Sequence, residues 1–126
     1  MFHTLLVTVL GIVMAASATS YPNYGSALEA SKKDGKPIVV AFTATWCGPC
    51  KSFKANTLAD AGVKKELEDN FHFYLMDTDE EPGLAKKFSI GSIPNIKVID
   101  SNEKVLASGG PMGIKSFLDF LKKYKK

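Results

Sequence analysis

The chain has 126 residues, enough for one small domain and too few for two, and its 45% hydrophobic and 23% charged residues are typical of a globular protein. The formal net charge is only +3, and all 16 basic residues are lysines. Because arginine, the usual bidentate reader of phosphate and guanine, is missing, we expect no nucleic-acid partner. Four lysines crowd the C-terminus, where a solvated final turn is favoured over a membrane-surface role: Lys122, Lys123, Lys125 and Lys126.

The N-terminus differs in kind from the rest of the chain. Residues 5–16, LLVTVLGIVMAA, form an uncharged apolar run that is too short to span a bilayer comfortably. The run ends in Ala16-Ser17-Ala18, an A-x-A cleavage pattern, which predicts a signal peptide over residues 1–18 and a mature domain over 19–126. The first four residues lack lysine, so a retained anchor is the alternative. We expect a periplasmic or secreted protein, in a compartment where thiols can oxidise.

The first elements of the mature chain can be placed from caps and apolar runs. Ser26 and Glu29 have the spacing of a capping box, which predicts a helix from residue 26 to about 33 that stops at Asp34-Gly35. Residues 38–44, IVVAFTA, are continuously apolar and β-branched. Continuous rather than alternating apolarity predicts a strand covered on both faces, at the centre of an α/β sheet.

The remaining elements alternate helix and strand before a hairpin. Pro49 suits the first turn of a helix, and Asp60 begins another helix that carries Val63 and Leu67 on one face. We predict a strand over 71–76, a short helix over 82–88 and hairpin strands over 95–100 and 104–107. An amphipathic last helix carries Ile114, Phe117, Leu118, Leu121 and Tyr124. The order α-β-α-α-β-α-β-β-α predicts an α/β domain whose final hairpin extends the sheet in antiparallel fashion.

The only two cysteines, Cys47 and Cys50, stand in the stretch TWCGPCK, directly after the first predicted strand. The nucleophile in disulfide exchange is a thiolate, so a catalytic cysteine needs a lowered pKa. Unpaired amides and the helix dipole favour negative charge at the helix start, where Cys47 is placed. Cys50 returns to the same face one turn later, so Cys47 is predicted to attack a substrate and Cys50 to resolve the mixed disulfide.

Two other roles for the cysteine pair are weaker. As a structural staple, so short a loop would remove only about 2 kcal/mol of unfolded-state entropy. A zinc site needs four ligands, and beside the two cysteines the chain offers only His72 and His3. His72 lies inside a predicted strand and is expected to be packed or exposed rather than a ligand. We therefore expect redox chemistry, no metal and no cofactor other than the Cys47–Cys50 disulfide itself.

The sequence resembles the thioredoxin family over nearly all of the mature chain. The matching residues are Trp46-Cys47-Gly48-Pro49-Cys50-Lys51, then Asp79 with Pro82-Gly83, Ile93-Pro94 and Gly110. The resemblance implies a thioredoxin fold: a central mixed four-stranded sheet with helices on both faces and, here, an extra N-terminal helix. It also implies a cis Ile93–Pro94 bond facing the cysteines. The substrate-binding surface that it implies comprises Trp46, Gly48, Pro49, Ile93, Pro94 and Gly110.

Residues 27–70 are more narrowly similar to exported thioredoxin-like proteins and to the C-terminal periplasmic domain of the bacterial membrane disulfide-interchange reductase. One departure concerns a buried aspartate and its lysine partner in cytosolic thioredoxins, at positions that here correspond to Ala41 and Leu75. Because both members of the pair are apolar, no unpaired charge is buried. Deprotonation of Cys50 would then rely on water or on the substrate.

The predicted function is exchange of disulfides with protein substrates through a mixed disulfide by an exported enzyme. The Gly48-Pro49 dipeptide resembles reducing members of the family, and a reductase outside the cytoplasm needs an electron source, so a membrane thiol donor is the expected partner. We expect a monomer. The acidic run at 77–81 is interpreted as a solvated loop. The alternative function is a non-catalytic secreted module that binds extended peptides or a partner subunit.

Overall fold

The computed structural model describes residues 20–126. The predicted signal peptide over 1–18 and its alternative, a retained anchor, lie outside the described residues and stay predictions. Within residues 20–126, no helix has both the length and the apolarity needed to cross a membrane.

The first helix, α1 (Tyr24–Asp34), starts earlier than the sequence predicts. The predicted capping box is wrong: the N-cap is Asn23, whose side-chain oxygen accepts the Ser26 backbone N–H at 2.8 Å and the Ser26 hydroxyl at 2.9 Å. Asparagine is as good a cap as serine, and here it satisfies the donors of the first turn. The predicted end is confirmed, because Gly35 adopts a left-handed φ of +77° and closes the helix.

The sheet has four strands in the order β2-β1-β3-β4: β1 (Ile38–Thr43), β2 (His72–Asp77), β3 (Asn95–Ile99) and β4 (Val105–Gly109). β1 pairs in parallel with β2 and antiparallel with β3, and β3 pairs antiparallel with β4. Every residue of β1 is buried, as its continuous apolar run predicts. The predicted mixed four-stranded sheet is therefore confirmed.

Four more helices and a π-helical segment cover the sheet: α2 (Gly48–Phe53), the π-helical segment Lys54–Leu58, α3 (Ala61–Asn70), α4 (Pro82–Lys87) and α5 (Ile114–Lys122). The Asp60 carboxylate accepts the Val63 N–H at 3.0 Å, which confirms the predicted start of α3. Phe117 and Leu121 of α5 are fully buried, whereas Ile114 stays 40% exposed.

Two hydrophobic clusters lie on opposite faces of the sheet, as alternation along the strands requires. Val39 and Ala41 of β1 pack with residues of α3 and α5, and Val40 and Phe42 pack with residues of α1 and α4. The thioredoxin fold with an extra N-terminal helix is thus the observed architecture. Its two layers of helices bury β1, and the cysteines follow the carboxyl end of that strand.

Candidate functional site

Cys47 occupies the junction between the central strand and the helix that follows it. β1 ends at Thr43, and Cys47 is the N-cap of α2 in an extended conformation. Its Sγ accepts the backbone N–H of Cys50 at 3.2 Å, which is one of the orphan donors of the first helical turn. Cys47 and Cys50 form a disulfide, with their Cα atoms 5.2 Å apart. The predicted spacing of one helical turn therefore brings the two sulfurs into bonding contact.

Both cysteines have little solvent-accessible surface. Cys47 is only 4% exposed and Cys50 is fully buried. Both cysteines pack with their sequence neighbour Ala44. The half-buried side chain of Ile93, which is distant in the sequence, packs against this cluster. Only a small part of the Cys47 surface is therefore open to a substrate.

The loop that carries Pro94 lies against the cysteines through Ile93. The Ile93–Pro94 peptide bond is cis, as the family resemblance implies. The Ile93 carbonyl oxygen lies 3.8 Å from Cys47 Sγ, so a thiol at Cys47 has a backbone acceptor beside it. Pro94 itself is buried. The fold therefore places the backbone of Ile93 in position to meet whatever binds at Cys47.

The rim of the site is formed by residues that the sequence singles out. Trp46 is 67% exposed, and its indole Nε1–H donates a hydrogen bond of 2.6 Å to the Asp79 carboxylate. Gly48 and Pro49 are exposed beside it. Gly110 is also exposed and follows Gly109, which pairs with Ile96 two residues after Pro94. The structure thus gathers all the predicted substrate-binding residues at one end of the sheet, while their role in binding remains a prediction.

Two clefts flank the cysteines. The first, here called the Trp46 cleft, has a volume of about 200 Å³ and is lined by Trp46, Thr78, Ala85, Ile90, Gly91, Ser92 and Ile93. The second, the Pro111 cleft, has about 320 Å³ and is lined by Pro49, Ser52, Phe53, Asn56, Thr57, Pro111, Met112 and Gly113. A larger cleft of about 550 Å³ lies near Tyr21 and His72, at the opposite end of β2. We do not assign it to the site, because the length of a strand separates it from the cysteines.

Beneath the cysteines the molecule is apolar. Ala41 is fully buried and pairs in register with Leu75, which confirms that the two positions are neighbours on adjacent strands. Both pack in the hydrophobic cluster under α3 and α5. In the part of the chain that the structure describes, no group of three or more metal-ligating side chains comes together.

His72 is committed to a structural role remote from the cysteines. It is buried, its Nδ1 lies 2.8 Å from the Tyr21 hydroxyl, and its Nε2 lies 2.8 and 2.9 Å from the two carboxylate oxygens of Asp34. The prediction that His72 is packed rather than a ligand agrees with these contacts. The sequence did not reveal its partners.

Sequence reasoning also missed part of the site. The interpretation of Asp79 as a solvated loop residue is incomplete. Asp79 is exposed, but its carboxylate also accepts the hydrogen bond from the Trp46 indole. The Ile90–Ser92 wall of the Trp46 cleft was not predicted either. The available indication was the matching of Asp79 with a family residue, which a solvated loop would not require.

Comparisons with known proteins agree with this architecture. The family model described as Thioredoxin matches residues 17–123. Thioredoxin M4 of Arabidopsis thaliana chloroplasts is 32% identical over 91 residues, which cover 71% of this chain and 46% of the relative. The chain thus spans about half the length of that curated relative.

Two solved structures are similar in fold. The oxidoreductase DsbH superposes with a TM-score of 0.78 at 26% identity, covering 88% of this chain and 87% of DsbH. The oxidised C-terminal domain of Neisseria meningitidis DsbD superposes with a TM-score of 0.71 at 22% identity, covering 85% of this chain and all of the domain. The family model over residues 17–123 establishes, in agreement with the cysteine pair at the start of α2, the cis proline and the four-stranded sheet, that the chain belongs to the thioredoxin family.

Proposed function

We propose that this protein is an exported thiol:disulfide oxidoreductase that exchanges the Cys47–Cys50 pair with protein substrates, mainly in the reducing direction. The observation that carries the proposal is the position of Cys47, whose sulfur caps a helix and faces the Ile93 carbonyl. A helix start favours the thiolate over the thiol. Similarity to the oxidoreductase DsbH supports the same chemistry. The disulfide itself is the redox group, and no other cofactor is invoked.

The reaction proceeds in two displacements. The Cys47 thiolate attacks one sulfur of a substrate disulfide, forms a mixed disulfide and releases the other sulfur as a thiolate, which takes up a proton. Cys50 then loses its proton, and its sulfur attacks Cys47 Sγ, which releases the second substrate thiol. Two electrons pass to the substrate, and the protein ends as the Cys47–Cys50 disulfide that the structure contains.

The resolving step is shaped by the apolar surroundings of Cys50. Cys50 is fully buried and clusters with Ala44 and Cys47, and the nearby strand positions Ala41 and Leu75 are apolar. Burial without a charged partner disfavours a thiolate. In this proposal the Cys50 proton leaves to water or to the departing substrate thiolate, so resolution is slower than attack.

The direction and the compartment rest on the sequence. The Gly48-Pro49 dipeptide resembles reducing members of the family, and the apolar run ending in Ala18 predicts export. A reductase working in an oxidising compartment must be re-reduced, so the proposal includes a membrane-bound dithiol as electron donor. The fold likeness to the DsbD C-terminal domain is consistent with such a donor. The proposed working form is a monomer in the periplasm or outside the cell.

Reduction of insulin disulfides with dithiothreitol as donor tests the proposal. We expect Cys47→Ser to lower the rate to that of dithiothreitol alone. We expect Cys50→Ser to accumulate mixed disulfides that a non-reducing gel separates from free protein. Full activity of Cys47→Ser would overturn the proposal. A midpoint potential well above that of the glutathione couple would overturn the reducing direction alone and leave an oxidase or isomerase.

The alternative is a binding module that holds extended peptides without turnover. The low accessibility of Cys47 favours it, because a binding groove needs no reachable sulfur. Insulin reduction together with a peptide-binding measurement separates the two functions. A binding module would bind a model peptide equally well in wild type and in Cys47→Ser, and neither protein would reduce insulin.

A further inference from the structure

The small exposed surface of Cys47 constrains how a substrate can lie. Cys47 is 4% exposed between exposed Trp46 on one side and exposed Pro49 on the other. When a substrate sulfur reaches Cys47 Sγ, its neighbouring residues must therefore cross the rim. On one side they enter the Trp46 cleft, and on the other they enter the Pro111 cleft.

The two clefts differ in the charge of the segments beside them. No charged side chain lines the Trp46 cleft, but the segment 77–93, which carries six of its seven lining residues, has four carboxylates against two lysines, Lys86 and Lys87, a net charge of −2. On the other side, segment 49–57 has two lysines, Lys51 and Lys54, and no carboxylate, a net charge of +2. A bound peptide therefore meets a field that changes sign across the attacked disulfide.

The Trp46 cleft also offers an aromatic surface to a cation. The Trp46 side chain is largely exposed and is held by the Asp79 carboxylate through its Nε1–H. A lysine or arginine beside an exposed indole gains from the ring quadrupole, and the nearby carboxylates add to the attraction. A carboxylate side chain in the same place would be repelled by both.

We propose that the preferred substrates carry a lysine or arginine within about three residues of the reducible cysteine, on the side that enters the Trp46 cleft. This inference rests on the proposed function and specifies its substrate class. The occupant is an extended basic segment of the substrate protein, chosen by charge complementarity with the segment 77–93.

Glu80 is the carboxylate best suited to test the proposal. Asp77 accepts the Asp79 backbone N–H at 2.8 Å, Asp79 holds Trp46, and Glu81 accepts the Tyr74 hydroxyl, so changes at these residues would also disturb the loop. Glu80 is exposed in the same turn. E80K therefore reverses one charge of the segment 77–93 that carries most of the cleft lining. E29K makes the same change on the exposed face of α1, which lines neither cleft.

The substrates are single-cysteine peptides joined by a disulfide to thionitrobenzoate, a coloured leaving group. The reduced protein attacks the peptide sulfur and releases thionitrobenzoate, and Cys50 then frees the peptide thiol as the protein is oxidised. Lysine, glutamine or glutamate is placed two residues before or two residues after the cysteine. The same peptides reacted with glutathione correct for their intrinsic reactivity.

We expect one of the two lysine positions to react about threefold faster than its glutamate counterpart, the size of effect that exposed charges produce. The ratio should fall toward one in about 0.5 M salt. It should shrink in E80K and stay unchanged in E29K, with melting curves confirming that both variants fold.

Equal rates for lysine and glutamate peptides at both positions, or equal ratios in E80K and E29K, would overturn the substrate preference and leave the proposed function standing. Failure of the wild type to oxidise with any peptide would overturn both. The two failures are therefore distinguishable.

Discussion

Strand β2 differs in polarity between its first residue, His72, and the position beside the cysteine helix, Leu75. At its start, His72 is buried between the Tyr21 hydroxyl and the Asp34 carboxylate. Three residues later, Leu75 pairs with fully buried Ala41 in an apolar cluster beside the cysteine helix. The same strand thus has a polar, hydrogen-bonded start at His72, here called the polar end. About 10 Å further along, and before the strand finishes at Asp77, it has an apolar stretch at Leu75, here called the apolar end.

The difference separates two functions of the fold. The polar end ties three distant segments together: the chain entering at Tyr21, the end of α1 at Asp34, and β2. The apolar end leaves the sulfurs as the reactive groups of the site and supplies no internal base. We therefore expect pH to act on stability through the polar end and on disulfide exchange through the cysteines themselves.

Introducing a charge at the apolar end should be strongly destabilising. Ala41→Asp buries a carboxylate in a position that is 0% exposed, and the expected loss at neutral pH is about 3 to 5 kcal/mol of unfolding free energy. Leu75→Lys in the same chain should restore part of the loss, because the two positions are in register. Urea unfolding measures each variant.

The matched control is Ala41→Asn, which has the same size without the charge. We expect its loss to be smaller at neutral pH, and we expect the Asp and Asn variants to converge in acid as the carboxylate protonates. Equal stability of the two variants at neutral pH would mean that water reaches this end of the sheet, contrary to the comparison.

Removing the histidine at the polar end should have an intermediate effect. His72→Phe keeps a ring in the buried position but deletes both hydrogen bonds, and we expect a loss of about 2 kcal/mol. The strap formed by residues 20–21 should loosen, since the Tyr21 N–H to Phe73 carbonyl bond (2.9 Å) and the Leu75 N–H to Ser20 hydroxyl bond (2.9 Å) lie beside it.

Hydrogen exchange at the Tyr21 and Leu75 amides measures this loosening. Tyr21→Phe, which deletes only one of the two bonds, should cost about half as much. Insulin reduction should be unchanged in both variants. Retained protection at both amides in His72→Phe would show that the strap is held without the histidine.

The elements that the sequence predicts correctly are those with local causes. Residues 38–43 form a buried strand because every one of them is apolar or β-branched, and Asp60 caps α3 because its carboxylate reaches an amide three residues away. The cis bond before Pro94 came from the family resemblance. The cysteine pair and its rim were identified because they occupy consecutive or motif-matched positions.

The features that the sequence does not predict depend on distant contacts. His72 meets Asp34 from 38 positions away, Trp46 meets Asp79 from 33, and Ile93 covers Cys47 from 46. The π-helical segment is another case, because the Thr57 hydroxyl donates to the Met112 carbonyl at 2.6 Å, 55 positions away. The sequence also fails to predict which of two equivalent residues caps a helix. Asn23 and Ser26 both suit an N-cap, and the folded structure uses Asn23.

The smallest expected effect concerns acid stability at the polar end. Partial desolvation raises the pKa of the Asp34 carboxyl, but hydrogen bonds from His72 and the Lys36 backbone outweigh it, and the net pKa is lowered. A carboxyl with a lowered folded pKa contributes stability above its unfolded pKa of about 3.9, and that contribution is lost as pH falls through the folded pKa. Asp34→Asn should therefore be less stable than wild type at neutral pH, and the difference should disappear in acid. Since the Asp34 side chain is 41% exposed, we expect a difference of only about 0.5 kcal/mol.

Urea unfolding at neutral pH and near pH 2.5 measures this difference, with Asp119→Asn as a control that removes an exposed carboxylate paired with Lys115. A constant difference between Asp34→Asn and wild type at both pH values would mean that the contact between His72 and Asp34 does not stabilise the fold through the charge of Asp34.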